Sequence, residues 1–398
     1  MSSPLPRVVL KARRARPFFA RHPWLFVTSI DRVEGDPAAG GEVEVYSHEG
    51  KFIARGLFNP NSAIRVRLYR WDGGPVDDAF LSDSLDRAVR LRRDVLKLGA
   101  PSSGYRVLSS EADGLSGLTV DRYDRWLVAQ FTSLALFMRH DTLARMLLEK
   151  TGAEGVLVRT ERTTAGQEGI PEGFENVQGT LPVAPVEIDE HGIHYWVDLR
   201  AGQKTGFFLD QRLNRLAAAA YCRGKRVLDL YTYTGGFALN ARKNGGASEV
   251  IGVDSSAIAV EVARHHAEMN GIDGVEFRAG DVPNAVDQFR KDGEKFGVVI
   301  CDPPKFARSP RAVEEALKAY IRLNRSALDL LEPDGVLVTC SCSGLVDRGL
   351  FADMIGQVAE QSGRSVQILE QRGQAPDHPV SASCLETEYL KCFICRAG

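Results

Sequence analysis

The chain has 398 residues, 44% of them hydrophobic and 26% charged, which is typical of a globular protein with two or three domains. Fifty Lys and Arg against 52 Asp and Glu give a net charge of -2, which excludes a basic field over the whole molecule. No run of about 18 apolar residues predicts a transmembrane helix, and the N-terminus lacks the apolar core of a secretory signal. Seven cysteines without a framework spacing indicate reduced thiols and a cytoplasmic protein.

The N-terminal segment is basic. Residues 1–72 contain 12 Lys and Arg against 7 Asp and Glu, and the first 21 residues contain no acid. Such a block suits a phosphate backbone, although charge alone favours a solvated basic tail equally well. Short runs that alternate apolar and polar residues follow, namely GEVEVYS, KFIARGLFN and AIRVRLYR. They predict a small antiparallel barrel or sandwich over residues 1–78 that offers a basic docking surface.

Residues 79–183 predict a second, small α+β domain. Its first element is an amphipathic helix with a basic outer face over Asp83–Leu98, which Gly99 ends. The stretch Thr163–Gly179, rich in Gly, Glu and Pro, is predicted to be a loop. Between them we predict a helix at Asp141–Lys150 and strands at Tyr105–Ser109, Leu118–Tyr123, Trp126–Phe131 and Gly155–Thr160.

Residues 184–398 alternate strands and helices, which predicts a doubly wound, Rossmann-like parallel sheet in an α/β domain. The buried strand Arg226–Tyr231 runs into Gly235 and Gly236, where the missing side chains let a ligand approach a helix N-terminus closely. The GxGxxG fingerprint is absent, which disfavours a dinucleotide.

Acidic residues accompany three successive strands of this domain, at Asp229, Asp254 and Asp281. A carboxylate that ends the second strand can accept both hydroxyls of a ribose, and Asp281 is placed to meet the amine of an adenine. Each acid alone is more often a helix cap. The ordered set with the glycine turn predicts a pocket for a nucleoside that carries no pyrophosphate.

Two later strands carry groups for chemistry. The buried strand Phe296–Cys301 leads to Asp302-Pro303-Pro304, a rigid turn whose free carbonyls suit the edge of a flat base. The strand starting at Gly335 contains Cys340 and Cys342, whose side chains leave one face if the strand continues that far. A thiolate that adds to carbon 6 of a cytosine makes carbon 5 nucleophilic. Inert packing is the alternative for either cysteine.

The motifs VLDLYTYTGGFAL, VDSS, GDV and CDPPKF resemble those of class I S-adenosylmethionine-dependent methyltransferases. The resemblance narrows to the bacterial 23S ribosomal RNA cytosine-5 methyltransferases, which are built from a PUA domain, a central α+β domain and a methyltransferase domain. It covers nearly the whole chain and includes HPWLF, GLSGLTVDRY, DLRAGQKTGFFLDQR, SCSG, DHPV and YLKCFICR.

This resemblance implies site residues. In SCSG the nucleophile corresponds to Cys342, and the position of Cys340 tolerates other residues. Lys305 stands where other RNA cytosine-5 methyltransferases have a second cysteine. Asp302 and Pro303 would hold the base. The residues implied to bind S-adenosylmethionine are Asp229, Tyr233, Gly235, Gly236, Asp254, Ser255, Asp281, Asp302, Phe208 and Gln211.

Other charged residues are candidates for RNA contacts, namely Arg13, Arg14, Arg16, Lys305 and His378. His378 would also suit a proton shuttle. Lys204 and Arg212 lie in the segment that resembles the lining of the donor site, as phosphate or carboxylate contacts or as structural salt bridges. Cys392 and Cys395 lack a second pair at zinc spacing, so we predict core packing and no metal.

The sequence thus predicts a PUA-like RNA-binding domain (1–78), a central domain (79–183) and a methyltransferase domain (184–398). The predicted activity is methylation of carbon 5 of a cytosine in 23S ribosomal RNA or its assembly intermediate, with no membrane partner and with a homodimer left open. An amino-group RNA methyltransferase, a small-molecule methyltransferase and an RNA-binding protein with a vestigial pocket are the alternatives.

Overall fold

A computed structural model describes residues 4–99, 103–200, 205–307 and 309–398, with all their side chains except those of residues 162–164. Lys204 lies outside the described residues. The chain divides into two units. The first comprises Met1–Ile188, Val197–Phe207 and Pro376–Thr387, and the second Asp189–Trp196, Phe208–Ala375 and Glu388–Gly398. The domain boundaries at residues 78 and 183 remain a prediction.

The first part of the chain contains eleven strands and five helices among the described residues. The strands are β1 (Arg7–Leu10), β2 (Trp24–Phe26), β3 (Ile30–Glu34), β4 (Glu42–Tyr46), β5 (Phe52–Phe58), β6 (Ile64–Arg70), β7 (Gly104–Ser109), β8 (Leu118–Tyr123), β9 (Trp126–Phe131), β10 (Gly155–Thr160) and β11 (Glu175–Gly179). The helices are α1 (Arg16–Phe19), α2 (Asp78–Arg90), α3 (Leu134–Phe137), α4 (His140–Thr151) and α5 (Arg162–Glu168).

The alternating runs near the N-terminus form a six-stranded sheet in the order β2-β6-β5-β4-β1-β3. Neighbouring strands are antiparallel except for β1 and β4, which run parallel. The alternation of EVEVY places Val43 and Val45 in the core, where they join Val8, Leu10 and Leu25. The expected antiparallel character therefore holds for four of the five strand pairs.

The next sheet, β11-β10-β9-β8-β7, contains all four strands predicted for residues 79–183. Its helix α2 starts earlier than expected, because Asp77 caps it by accepting the amide of Phe80 at 2.9 Å. The helix becomes a π-helical turn over Leu91–Val95. This turn buries Arg92, which bonds Asp113 at 2.7 Å, so the predicted basic outer face is wrong at that residue.

The prediction of a loop over Thr163–Gly179 is wrong. Helix α5 and strand β11 lie within it, and β11 pairs antiparallel with β10 at the edge of the sheet. The sequence ENVQG carries one apolar residue, so the pairing with β10 rather than local pattern forms this strand.

The remaining strands begin with the pair β12 (Val186–Glu190) and β13 (Ile193–Val197). They continue with β14 (Arg226–Leu230), β15 (Glu249–Asp254), β16 (Val275–Ala279), β17 (Phe296–Cys301), β18 (Leu331–Ser341), β19 (Val366–Arg372) and β20 (Lys391–Ala397). The helices are α6 (Arg212–Ala219), α7 (Gly236–Lys243), α8 (Ala257–Met269), α9 (Val282–Lys291), α10 (Val313–Leu330) and α11 (Arg348–Ser362).

The second unit is built on a seven-stranded sheet with the order β16-β15-β14-β17-β18-β20-β19. The first five of these strands are parallel, and β20 is antiparallel to both of its neighbours. The strand order reverses between β14 and β17, and such a switch point is where open α/β sheets bind ligands. The predicted doubly wound sheet is confirmed. No helix in the described parts of the chain is long and apolar enough to cross a membrane.

Candidate active site

A buried carboxylate, that of Asp229, stabilises the turn after β14 by hydrogen bonds. Asp229 Oδ2 accepts the Thr232 hydroxyl at 2.6 Å and the Ala238 amide, at the start of α7, at 3.0 Å. Burial raises the pKa of Asp229 to about 7. The predicted donor-binding residue Asp229 therefore lies beneath the turn and fixes its shape.

The backbone of this turn is in the left-handed region at Tyr231 (φ 64°), Tyr233 (φ 51°) and Gly235 (φ 85°). Such conformations cost free energy at non-glycine residues and cluster at ligand sites. A side chain at Gly235 would also place its Cβ 2.9 Å from the Phe277 ring. The left-handed backbone and the Phe277 ring therefore both favour glycine at position 235, and the close approach of a ligand there stays a prediction.

Asp254, at the end of β15, is tied to the same turn. Its Oδ2 accepts the Tyr233 amide at 2.9 Å and its Oδ1 accepts the Ser256 amide at 2.8 Å. Asp254 is half-buried and Ser255 is exposed. Two backbone amides therefore orient a carboxylate at the edge where β14 and β15 end, as a ribose-binding acid requires.

Asp281 follows β16 and caps α9, where its Oδ1 accepts the Asn284 amide at 3.1 Å. The side chain is exposed at the same edge of the sheet. Asp281 is therefore a helix cap, the alternative that the sequence left open. Its contact with an adenine stays a prediction.

Asp302 lies across the switch point from β14. Its amide donates to the Leu230 carbonyl at 3.3 Å, and its Oδ2 accepts Gln211 Nε2 at 3.0 Å. Gln211 is buried and is oriented by Asn214, whose amide donates to it at 2.7 Å. Two residues predicted from separate motifs therefore meet directly. Pro303 beside them is buried.

Phe208 connects the segment before α6 to the glycine turn. Its ring meets that of Tyr233 edge to face, with centroids 5.2 Å apart. Its carbonyl accepts Arg215, which forms a fully buried ion pair with Glu190 at 2.5 and 2.6 Å. Sequence reasoning missed this pair, because 25 residues separate its members and no motif contains either.

Cys342 follows the end of β18, which stops at Ser341, so the condition for Cys340 and Cys342 to share one strand face is not met. Cys340 is fully buried against Cys392 and Cys342 is half-buried. Burial raises the pKa of the Cys340 thiol. All seven cysteines lie in the described residues, and Cys342 alone among them is not buried.

A buried tyrosine and a serine connect Cys342 to the Asp302 turn. Ser343 Oγ accepts the Ala307 amide at 3.2 Å and shares a hydrogen bond of 3.3 Å with the hydroxyl of Tyr320. Burial raises the pKa of Tyr320, and the charges of Cys342 and Asp302 raise it further. Tyr320 therefore interacts with the residue after Cys342 through its hydroxyl. No motif pointed to it, because it lies in the middle of α10.

The predicted RNA-binding residues divide by exposure. Arg13, Arg14, Arg16 and Lys305 are exposed. His378 is only 2% exposed and lies 3.4 Å from Asp377 in the first unit. Burial disfavours a direct phosphate contact at His378, so its role stays a prediction.

His22, Cys384 and Glu386 form a group of potential metal ligands within 4.8 Å of one another. The Trp24 amide donates to His22 Nδ1, so the proton of a neutral ring lies on Nε2, which faces Glu386 at 3.3 Å. Burial raises the pKa of Cys384 to about 12, which opposes the thiolate that a metal needs. We interpret the group as a hydrogen-bonded contact.

The amino-acid sequence matches known protein families. Residues 158–390 match the S-adenosylmethionine-dependent methyltransferase family and residues 8–71 match the PUA-like domain. Ribosomal RNA large subunit methyltransferase I of Aeromonas hydrophila is 41% identical, over 98% of this chain and 99% of that protein. The same-named protein of Photobacterium profundum is 41% identical over 98% of each chain. The chain belongs to this methyltransferase family.

Solved structures share the fold of this family member. A SAM-dependent methyltransferase from Streptococcus mutans superposes with a TM-score of 0.84, covering 98% of this chain and 99% of its own, at 19% identity. Another methyltransferase, solved in complex with SAH, gives a TM-score of 0.84 at 20% identity, over 98% of this chain and 99% of its own. The family to which residues 158–390 belong uses S-adenosylmethionine, which is therefore the methyl donor.

Two buried polar atoms at the turn after β14 suit a site for S-adenosylmethionine. Asp229 Oδ1 and Thr234 Oγ1 are buried without a hydrogen-bond partner in the described structure. Buried polar atoms are seldom left unpaired, and a ligand with hydroxyl or ammonium groups would satisfy them. Asp254 and Phe208 beside them would hold the nucleoside. When bound, the donor supplies an electrophilic methyl group.

Proposed function

We propose that this methyltransferase modifies carbon 5 of a cytosine in 23S ribosomal RNA, with Cys342 as the covalent nucleophile. The observation that carries the proposal is that Cys342 is half-buried and precedes Ser343, whose hydroxyl accepts the amide of Ala307 in the segment after Asp302. The names of the relatives support ribosomal RNA of the large subunit as the substrate. A substrate of this kind also implies the cytoplasm.

Carbon 5 of cytosine is a poor nucleophile, and the thiolate of Cys342 overcomes this by forming a bond to carbon 6. The electron pair moves to carbon 5, which then accepts the methyl group. A base removes the proton from carbon 5, the electron pair returns to the ring, and the bond between sulfur and carbon 6 breaks. Cysteine suits both the first and the last step of this reaction because it is strongly nucleophilic and is a good leaving group.

Asp302 would hold the exocyclic amine of the cytosine, because its carboxylate is an acceptor that Gln211 orients through a hydrogen bond of 3.0 Å. The buried ring of Pro303 makes this turn rigid. The target base must leave its stack to reach Cys342, which costs a few kcal/mol and favours an unpaired nucleotide. The exposed Arg13, Arg14 and Arg16 would supply phosphate contacts that read no sequence.

The test uses large-subunit ribosomal RNA transcripts with and without 5-fluorocytidine. Fluorine at carbon 5 cannot leave as a proton does, so the adduct with Cys342 persists and migrates as a protein–RNA band. Wild type should form this band, and Cys342→Ala should lose it together with about 10³-fold or more of methyl transfer. Cys340→Ala is the matched control, two residues away on β18, and should retain both.

Nucleoside analysis of the product separates the proposal from its rival. We expect 5-methylcytidine. The rival is methylation of an amino group held by Asp302-Pro303-Pro304, which predicts an N-methylated base, no trapped adduct and near-normal turnover in Cys342→Ala. That combination would contradict the proposed chemistry while leaving the methyltransferase assignment intact.

A further inference from the structure

Lys391, the first residue of β20, is a lysine that the fold buries to 1% exposure. In the pairing of β18 with β20 it lies opposite Ser341, the residue before Cys342. Its Nζ donates to the carbonyl of Ser343, the residue after Cys342, at 2.7 Å and to the carbonyl of Tyr389 at 2.9 Å. The amine is therefore held against the segment that carries Cys342.

Several charged groups act on Lys391, and Cys342 is one of them. Burial lowers the pKa of Lys391 to about 8, and among the charges that raise it again Cys342 comes first, followed by Glu388 and Asp347. Arg348 acts in the opposite direction. Glu388 is already paired with Arg348 at 2.5 Å, and Asp347 caps α11. A thiolate at Cys342 is thus the anion that this buried ammonium can compensate.

Two further titratable groups act on this part of the site. These groups are Tyr320 on α10 and Asp302 after β17. The charges of Cys342 and Asp302 raise the pKa of Tyr320. Burial keeps Tyr320 a neutral phenol, and a carboxyl group such as that of Asp302 never carries a positive charge, so neither stabilises a thiolate by charge. Lys391 is a buried amine hydrogen-bonded to the residue after Cys342.

We propose that Lys391 is a positioning residue for the reaction, whose ammonium stabilises the Cys342 thiolate and sets the pH at which this thiol attacks. The inference rests on the function proposed above, since Lys391 acts only through Cys342. A cation beside a cysteine favours its ionised form, as at known reactive thiols. A purely structural role, in which the amine ties together the carbonyls of Ser343 and Tyr389, predicts no effect on thiol ionisation.

The first experiment measures the rate at which iodoacetamide alkylates Cys342 as a function of pH, in the absence of RNA and donor. Peptide mass spectrometry assigns the alkylated site, and the burial of the other six cysteines, all within the described residues, favours selective reaction. Lys391→Met should move the profile upward by about one pH unit, which is about tenfold slower alkylation near neutrality. Lys391→Arg keeps the charge and should restore most of the rate.

A second experiment uses the reciprocity of the interaction and compares wild type with Cys342→Ser, so that a Lys391 variant serves only to assign the resonance. Because the charge of Cys342 raises the pKa of Lys391, Cys342→Ser should lower the pH at which Lys391 titrates. Carbon-13 labelling of lysine side chains lets NMR follow that titration in the intact protein, with Lys391→Arg identifying the resonance.

An unchanged alkylation profile in a folded Lys391→Met, or a Lys391 titration that is the same in wild type and Cys342→Ser, would overturn the inference. Neither readout involves RNA or methyl transfer. A product other than 5-methylcytidine would therefore contradict the proposed function alone, whereas unaltered thiol ionisation with a normal product would contradict only the role of Lys391.

Discussion

Replacing Asp229 by Asn tests the electrostatics beneath the turn after β14. Asn keeps an oxygen in the place of Oδ2, so the hydrogen bonds from Thr232 and Ala238 can persist. What the substitution removes is a charge that burial disfavours, since the pKa of Asp229 rises from 3.8 to about 7 in the folded protein. The variant therefore isolates the free energy of ionising this carboxyl.

The sign follows from the proton count. Between these two pKa values the unfolded chain has lost the proton of Asp229 and the folded protein keeps it, so stability falls as pH rises and levels off above about pH 7. At about 1.4 kcal/mol per pKa unit, wild type should lose about 2 kcal/mol between about pH 5.5 and about pH 8 that Asp229→Asn does not lose. The variant gains in relative stability as the solution becomes more basic.

Native-state hydrogen exchange measures this difference strand by strand, after correction for the intrinsic exchange rate at each pH. Peptides covering β14 report the free energy of opening the second unit, and peptides covering β9 serve as the internal control in the first. A difference between variant and wild type that stays constant over this pH range would refute the reasoning from burial.

Two other substitutions test the packing around the donor turn. Gly235→Ala meets both a left-handed backbone and the Phe277 ring, so it should destabilise the protein by about 1–3 kcal/mol and weaken donor binding in calorimetry. Gly271→Ala is the control, because Gly271 also has a left-handed backbone but no atom lies within 4 Å of an added Cβ. It should destabilise the protein less and leave donor binding unchanged. Equal effects of the two substitutions would contradict the steric argument. Arg215→Met leaves Glu190 buried and unpaired and should cost about 3–5 kcal/mol in urea unfolding, while adding Glu190→Leu should restore most of it.

The sheet of the second unit could be predicted from the sequence because its strands are marked locally. RVLDL, EVIGVD and FGVVIC are short apolar runs, and each leads into an acid or a glycine turn. Their parallel pairing follows from the helices between them. The place of β20 between β18 and β19 could not be predicted, because only long-range pairing decides which strand edges meet.

The wrong predictions have different physical causes. Strand β11 forms on the edge of β10 without an apolar pattern of its own, and the early start of α2 depends on the Asp77 cap, a signal that was present but not used. The site residues Tyr320 and Lys391 lie in the interior of a helix and at the start of an apolar strand. The sequence signal for Lys391 is its position directly before the apolar run CFIC, since a buried amine requires hydrogen-bond or charged partners.

The position of β20 has a consequence for how the protein is made. This strand fills the gap between β18 and β19 although it follows both in the chain, so a nascent chain exposes two unpaired edges until residues 391–397 emerge from the ribosome. Open strand edges can pair with other chains, so the sheet is prone to aggregation in this interval. Docking of β20 thus completes the sheet and brings Lys391 to the carbonyl of Ser343 in a single step of assembly.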